Sequence, residues 1–221
     1  MQDLTKIFLE NDEVASILLQ GMTVEYLFER LYKIKKNEII LFHAAAGGVG
    51  LIACQWAKSV GCKMIGTVST DEKAKLAKNH GCEFTINYKE KIVSEKVMEI
   101  TNNQGVPVVY DGVGKDTFDE SIKSLSTRGL MVSFGQSSGM VEKIDMHKTF
   151  NPKSLFYTRP SLMGYTLNRE ELLNCANNLF EKMKNKEVKS NIYKKLKLEE
   201  AQKAHEILQS RKSVGSIILE P

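Results

Sequence analysis

Nowhere in these 221 residues does an apolar run approach the roughly 20 that crossing a bilayer requires. Asp3, Glu10, Asp12 and Glu13 come early, where a secretory signal would carry a basic and then an apolar stretch, so the chain reads as cytoplasmic, with no membrane partner. Cysteine is scarce, and Cys54, Cys62, Cys82 and Cys175 form no C-x-x-C pair; this speaks for reduced, buried thiols and against a disulfide framework or zinc. The four histidines (His43, His80, His147 and His205) are scattered without ligand spacing, so no metal is expected. Charge is not one-sided either. Against 27 acidic residues stand 31 Lys and Arg, and a net +4 is too mild to argue for nucleic acid. Lysines thicken over 182–197, which reads as the solvated face of a helix end and its loop, with Glu170 and Glu171 at the matching N-terminus.

What is present is an ordinary globular composition, 42% hydrophobic and 26% charged, long enough to bury a core without staples. Periodicity predicts helix over 5–32 with an interruption at Gly21, where Val24, Leu27, Phe28 and Leu31 form one stripe. Residues 38–43 read as a buried parallel strand, 49–60 as a helix stopped by Gly61, and 63–68 as the next strand. The rhythm repeats. Thr70 is placed to cap a helix over 71–80, followed by a strand at 83–87 and a helix at 92–100. A strand at 106–111 tolerates Pro107 near its start; Phe118, Ile122 and Leu125 stripe a helix, and 130–134 is a fifth strand. Such alternation implies an α/β fold, a doubly wound parallel sheet with right-handed crossovers. From about residue 155 the rhythm changes: 155–165 reads as extended, 170–186 and 201–210 as helices, and 216–219 as a short strand.

Between the first strand and its helix lies Ala44-Ala45-Ala46-Gly47-Gly48-Val49-Gly50. A glycine turn there aims unpaired N–H groups and a helix dipole at one point, which suits a diphosphate. Gly47 and Gly48 allow close approach of the backbone, and Gly50 allows the helix to pack on the strand, although Ala45 stands where the usual G-x-G-x-x-G would begin. After the second strand an NAD site would place an acid for the ribose hydroxyl; this chain has Val68-Ser69-Thr70 with Lys73 behind, which suits the 2′-phosphate of NADPH. The letters Tyr193-x-x-x-Lys197 match a short-chain dehydrogenase but lie far past the sheet, and neither a methyltransferase acid nor a P-loop is present.

Around His43-Ala44-Ala45-Ala46-Gly47-Gly48-Val49-Gly50-Leu51 the sequence resembles the NADPH quinone oxidoreductase, or zeta-crystallin-like, branch of the medium-chain dehydrogenases. Gly21-Met22-Thr23, Val109-Tyr110-Asp111-Gly112-Val113-Gly114, the run 129–135, Thr158-Arg159-Pro160-Ser161-Leu162 and the tail from Ala201 to Arg211 agree with it. The resemblance implies that Gly47, Gly48 and Val49 hold the diphosphate, and that Lys73, Tyr88 and Arg211 surround the 2′-phosphate with Ser69 or Thr70 assisting. It implies too that Phe134, Gly135 and Ser137 line the nicotinamide side near Pro160, Ser161 and Leu162, while Thr23 and Tyr26 reach the cofactor from below. Read singly, Tyr88 is equally a strand-end aromatic and Arg211 an exposed tail residue.

The resemblance further implies zinc-independent hydride transfer from NADPH to a quinone or enone, with no catalytic acid or base in the chain. Relatives carry a GroES-like catalytic domain ahead of the matched part, so the expectation is a shortened form. Its parts would be an N-terminal helical segment (1–22), an NADP(H)-binding Rossmann domain (23–160) and a C-terminal remnant of the catalytic domain (161–221). A nucleotide-binding remnant without turnover is the alternative. The strand near 155–158 is expected to join two copies into a homodimer, and 216–219 to be left without a sheet to join.

Overall fold

The computed structural model describes residues 10–210 and 213–221. A helix, α1 (Asn11–Glu25), runs into a π-helical turn at Tyr26–Leu31 and leads to β1 (Ile39–Phe42). There follow α2 (Gly48–Val60), β2 (Lys63–Val68), α3 (Asp71–Asn79), β3 (Phe84–Asn87), α4 (Val93–Ile100) and β4 (Val106–Asp111). Then come α5 (Phe118–Ser124), β5 (Leu125–Ser133), α6 (Met146–Phe150) and β6 (Phe156–Thr158). The chain closes with α7 (Arg169–Lys184), β7 (Ile192–Lys197), α8 (Ala201–Gln209) and β8 (Ser216–Glu220). Six parallel strands stand in the order β3-β2-β1-β4-β5-β6. The order reverses between β1 and β4, so a crevice opens at their carboxyl ends.

Both faces of the sheet are buried, and successive strand residues divide between two cores. Ile40, Phe42, Met64, Val108 and Tyr110 join one cluster with Trp56 of α2 and Ile17 of α1. Leu41, Ile65 and Val109 join the other with Val97 of α4 and Phe118 of α5. This explains why the strands read as continuous apolar runs without polar alternation. Local signals end the helices as expected: Gly61 takes a left-handed φ of 78° after α2, and the Thr70 hydroxyl accepts from Lys73 N at 3.2 Å.

Several expectations are corrected. Gly21 does not interrupt its helix; it lies inside α1, where a Cβ would meet Leu179 Cδ1 at 2.5 Å, so it is there for the close crossing of α7. Leu125 does not belong to α5 but begins β5, pairing with Val106 while Lys153 Nζ holds its carbonyl at 2.6 Å. Residues 155–165 are not wholly extended, because the Ser161 side chain caps a 3₁₀ turn at Leu162–Tyr165. The lysine run is half strand. In β7 Lys194, Lys195 and Lys197 are exposed while Leu196 is buried, and Lys195 pairs with Asp12 and Glu220. That strand gives β8 its partner: the two pair in parallel as a separate sheet, and the Ser216 hydroxyl donates to Ser16 O of α1 at 2.6 Å.

One contact sets the angle at which α2 leaves the sheet. A Cβ on Gly50 would lie 2.4 Å from Ala44 O and 2.6 Å from Ala45 C and O, all of them backbone. Neither partner is the free end of a side chain, so neither can swing aside. Gly50→Ala should therefore lower the unfolding free energy by about 1–3 kcal/mol in urea titration; an unchanged midpoint would show that helix and strand can separate freely there.

Candidate functional site

β1 ends in a turn that begins with strain. Ala44 holds φ at 56°, a left-handed conformation uncommon for a residue with a side chain. Its carbonyl then accepts Gly47 N at 2.9 Å, and Gly47 is the N-cap residue of α2, with no side-chain cap of its own. Ala45 N is held by Thr67 O of β2 at 3.0 Å. The amides opening α2 have no intrahelical partners, and the helix dipole adds positive potential at the same end. Gly48 differs from Gly50. The nearest atoms to a Cβ there are Gln20 Cγ and Nε2 at 3.8 Å, an ordinary contact, and its φ is not positive. Among the described residues nothing in the fold requires glycine at 48.

Next to it, with Gly47 in its wall, a cleft of about 920 Å³ lies over the carboxyl ends of β1, β2 and β4. Of the expected site residues, Gly47, Ser69, Lys73, Tyr88 and Ser137 share its wall. Thr70 is engaged in capping α3. Gly48 and Val49 open α2 at the cleft's edge, and Val49 packs its side chain onto the core. The remaining expected residues among those described do not line this wall. Phe134 packs on Phe42 with ring centres 5.6 Å apart, and Gly135 lies so near Gly112 that a Cβ would be 2.5 Å from Gly112 O. Pro160 is buried, Ser161 caps the 3₁₀ turn and Leu162 packs on the first core. The Thr23 hydroxyl donates to Leu19 O at 2.8 Å. Tyr26 is 1% exposed and stacks on Tyr165 at 4.6 Å, and burial pushes its phenol up to about 12. Arg211 lies outside the described residues.

The cleft also contains groups that motif reading missed. Lys89, Lys91 and Lys123 line it beside Glu90, Glu95 and Asp116. Under its floor runs a buried polar network. Asp111, fully buried at the end of β4, accepts from Val113 N (2.8 Å), Gly114 N (3.0 Å), the Thr117 hydroxyl (2.7 Å) and the Ser121 hydroxyl (2.8 Å). Four donors satisfy this carboxylate without a cation. His43, also buried, stands between Thr67 and Ser121, and burial lowers its pKa against the opposing pull of Asp111 and Glu120. The available signal was polar residues closing apolar strands: His43 after β1, Thr67 within β2 and Asp111 on β4. No three His, Cys, Asp or Glu side chains converge on one point among the described residues. The thiols of Cys54, Cys62 and Cys175 sit in separate places, each pushed up chiefly by burial or by a neighbouring group.

Removal of Asp111 tests the network. Asp111→Ala strands four donors, so about 3 kcal/mol or more of stability should be lost, whereas Asp111→Asn, which keeps an acceptor oxygen, should lose clearly less. Equal, small losses in chemical denaturation would mean that water replaces the carboxylate.

With this geometry in view, comparison with known proteins is informative. Residues 48–182 match the zinc-binding dehydrogenase family. The chain is 49% identical over 212 residues to quinone oxidoreductase 1 of Escherichia coli, covering 95% of this chain and 65% of that protein. It is 41% identical over 214 residues to a 2-haloacrylate reductase of Burkholderia, covering 96% and 64%. A crystal structure of Escherichia coli quinone oxidoreductase complexed with NADPH superposes with a TM-score of 0.92 at 48% identity, covering 97% of this chain and 66% of that one. The chain thus spans about 65% of the length of the curated relatives it matches.

Proposed function

Because the chain belongs to the zinc-binding dehydrogenase family, within its quinone oxidoreductase branch, we propose that it binds NADPH and serves hydride transfer to a quinone or enone. The observation that carries this is Gly48: its missing side chain answers no need of the fold and opens the first turn of α2 to a diphosphate. Gly47, Gly48 and Val49 hold that diphosphate in this reading. Lys73, Ser69 and Tyr88, with Arg211, take the 2′-phosphate, for which the missing acid after β2 leaves room. Phe134, Gly135 and Ser137, with Pro160, Ser161 and Leu162, line the nicotinamide side, and Thr23 of α1 and Tyr26 of the π-helical turn approach from below. When bound, the cofactor supplies the hydride; these residues orient it and exclude water. Among the described residues no three His, Cys, Asp or Glu side chains converge on one point, and this reading routes no step through a metal.

In this reading residues 23–160 are the nucleotide-binding unit and 161–221 belong to the substrate side. The acceptor class stays broad because relatives include both a quinone oxidoreductase and a 2-haloacrylate reductase, whose acceptors are activated unsaturated compounds. A second reading is nucleotide binding without turnover. Titration of nucleotides and turnover separate the possibilities. Gly48→Ala should weaken NADPH by about tenfold or more without lowering the unfolding temperature, and Lys73→Glu with Arg211→Glu should weaken NADPH far more than NADH. Equal loss of both cofactors in the double variant would remove the 2′-phosphate assignment. Tight NADPH binding with no oxidation in the presence of benzoquinone would favour the second reading over the first.

The proposal extends to a homodimer through β6. Among the described residues this strand pairs with β5 alone and is an edge of the sheet, with Phe156 61% and Tyr157 37% exposed. Apolar side chains and unpaired amides on one edge invite a second copy of the same strand. Sedimentation should give a dimer at micromolar concentration that Phe156→Lys dissociates; a wild-type monomer would overturn the assignment.

A further inference from the structure

The buried polar chain beneath the glycine turn has a direction that its hydrogen bonds determine. His43 is 1% exposed and lies on the floor of the cleft. Its Nδ1 is 3.1 Å from Thr67 Oγ1, and its Nε2 is 2.9 Å from Ser121 Oγ. Ser121 has one proton, and both Asp111 Oδ2 (2.8 Å) and Thr117 O (2.9 Å) stand ready to accept it. Neither acceptor has a proton to return, so the Ser121 oxygen accepts from His43 Nε2–H. Burial keeps the ring neutral, although Asp111 and Glu120 face it. Nδ1 is then an acceptor, and the Thr67 hydroxyl donates to it. The Thr67 oxygen in turn accepts Ala44 N–H at 3.1 Å. The series runs Ala44 N–H to Thr67, Thr67 to His43, His43 to Ser121, and Ser121 to Asp111, every proton donated the same way.

Its first member is the strained residue of the turn. Ala44 keeps its left-handed φ while its N–H is held by the Thr67 side chain and its carbonyl receives Gly47 N. Were Ala44 to relax, the carbonyl would swing away from Gly47, and the residue that caps α2 would lose its seat. The amides of the first turn would then no longer converge on the cradle at Gly48.

We propose that the Thr67–His43–Ser121–Asp111 relay holds the Ala44 turn in its diphosphate-receiving form, and that Thr67 and His43 are positioning residues for nucleotide binding. The proposal rests on the nucleotide reading above and names what sets the shape of that site. It also gives a reason for a histidine buried under a phosphate cradle: a neutral imidazole passes a hydrogen bond across the sheet without placing a second charge beside Asp111.

Thr67→Val tests it, because valine keeps the shape and loses only the hydroxyl. Affinities for NADPH, for ADP-ribose and for adenosine 2′-monophosphate are compared by fluorescence and calorimetric titration. The two ligands with a diphosphate should each weaken by about tenfold, the monophosphate, which has no 5′-phosphate, should change little, and Thr67→Ser should restore binding. Unchanged affinity in Thr67→Val, a loss shared by the monophosphate, or a loss that serine does not repair would overturn the positioning role. Should valine prevent folding, nitrogen NMR of His43 in the unaltered protein decides: a neutral ring protonated at Nε2 near pH 7 supports the relay, and a charged ring or the Nδ1–H form refutes it. Absence of any nucleotide binding by the unaltered chain would instead fell the parent reading, and the proposal with it.

Discussion

Gly50 presses its backbone against the carbonyls of Ala44 and Ala45, and the geometry of the cleft follows from that contact. A helix docked so closely must start immediately above the strand that feeds it, which leaves only the few residues of the turn to reverse the chain. The reversal is made at Ala44, with a positive φ, and not at a glycine. An alanine so placed is strained by about 1–2 kcal/mol, and the strain persists because its amide and its carbonyl are both engaged. Close packing thus places the helix terminus, and hydrogen bonds keep the terminus open. Gly66 serves the same packing from the neighbouring strand, since a Cβ there would lie 2.5 Å from that of Ala45.

The interior carries its polar groups in two differently built anchors. On the cleft side, Asp111 is satisfied by hydroxyls and amides alone, and His43 is kept neutral beside it. On the other side, buried Glu25 pairs with Arg30 at 2.9 Å and accepts from Asn178 Nδ2 at 2.9 Å, while Arg30 reaches Tyr165 O at 2.6 Å. The first anchor is local to the sheet ends. The second ties α1 and its π-helical turn to α7 and to the segment that follows β6. Buried ion pairs contribute little net stability because desolvation offsets attraction, but they specify one geometry strongly. Here the geometry so specified is the placement of Tyr26, expected to reach the cofactor from below, and of the turn that starts at Leu162, expected near the nicotinamide.

Most of the sheet was legible because buried parallel strands announce themselves. The bounds of β2 and β4 agree with the apolar runs 63–68 and 106–111, and Thr70 and Gly61 act as cap and stop. Failures came where a long-range partner outweighs local pattern. Gly21 looks like a breaker until Leu179 is seen against it, and Leu125 fits a helical stripe until Val106 pairs with it. The lysine-rich strand β7 was the hardest. It buries only Leu196, its register shifts between Ile192 and Lys194, and its partner β8 lies beyond the whole of α8. At the site, the glycine turn with Ser69 and Lys73 was recognisable by type and spacing, and Tyr88, in the same cleft wall, only through the resemblance. The relay under them was not, because histidine, threonine, serine and aspartate separated by tens of residues have no textual signature until the strands are laid side by side.

Glycine itself divides the fold from the site. Where a missing Cβ would strike backbone, as at Gly50 and Gly135, or a packed neighbour, as at Gly66, glycine belongs to the architecture. Where a Cβ would meet only ordinary contacts and φ is not positive, as at Gly48, architecture gives no reason for it. The distinction depends on distances within one structure and needs no relatives. Applied along the turn, it assigns Gly50 to helix packing and Gly48 to whatever approaches from the cleft, while Gly47, whose Cβ would be 3.2 Å from Ala44 O, lies between the two. A ligand that demands bare backbone at the opening of a helix is one that must lie within hydrogen-bond reach of several amides at once, and that condition is met by a phosphate better than by any apolar or cationic group.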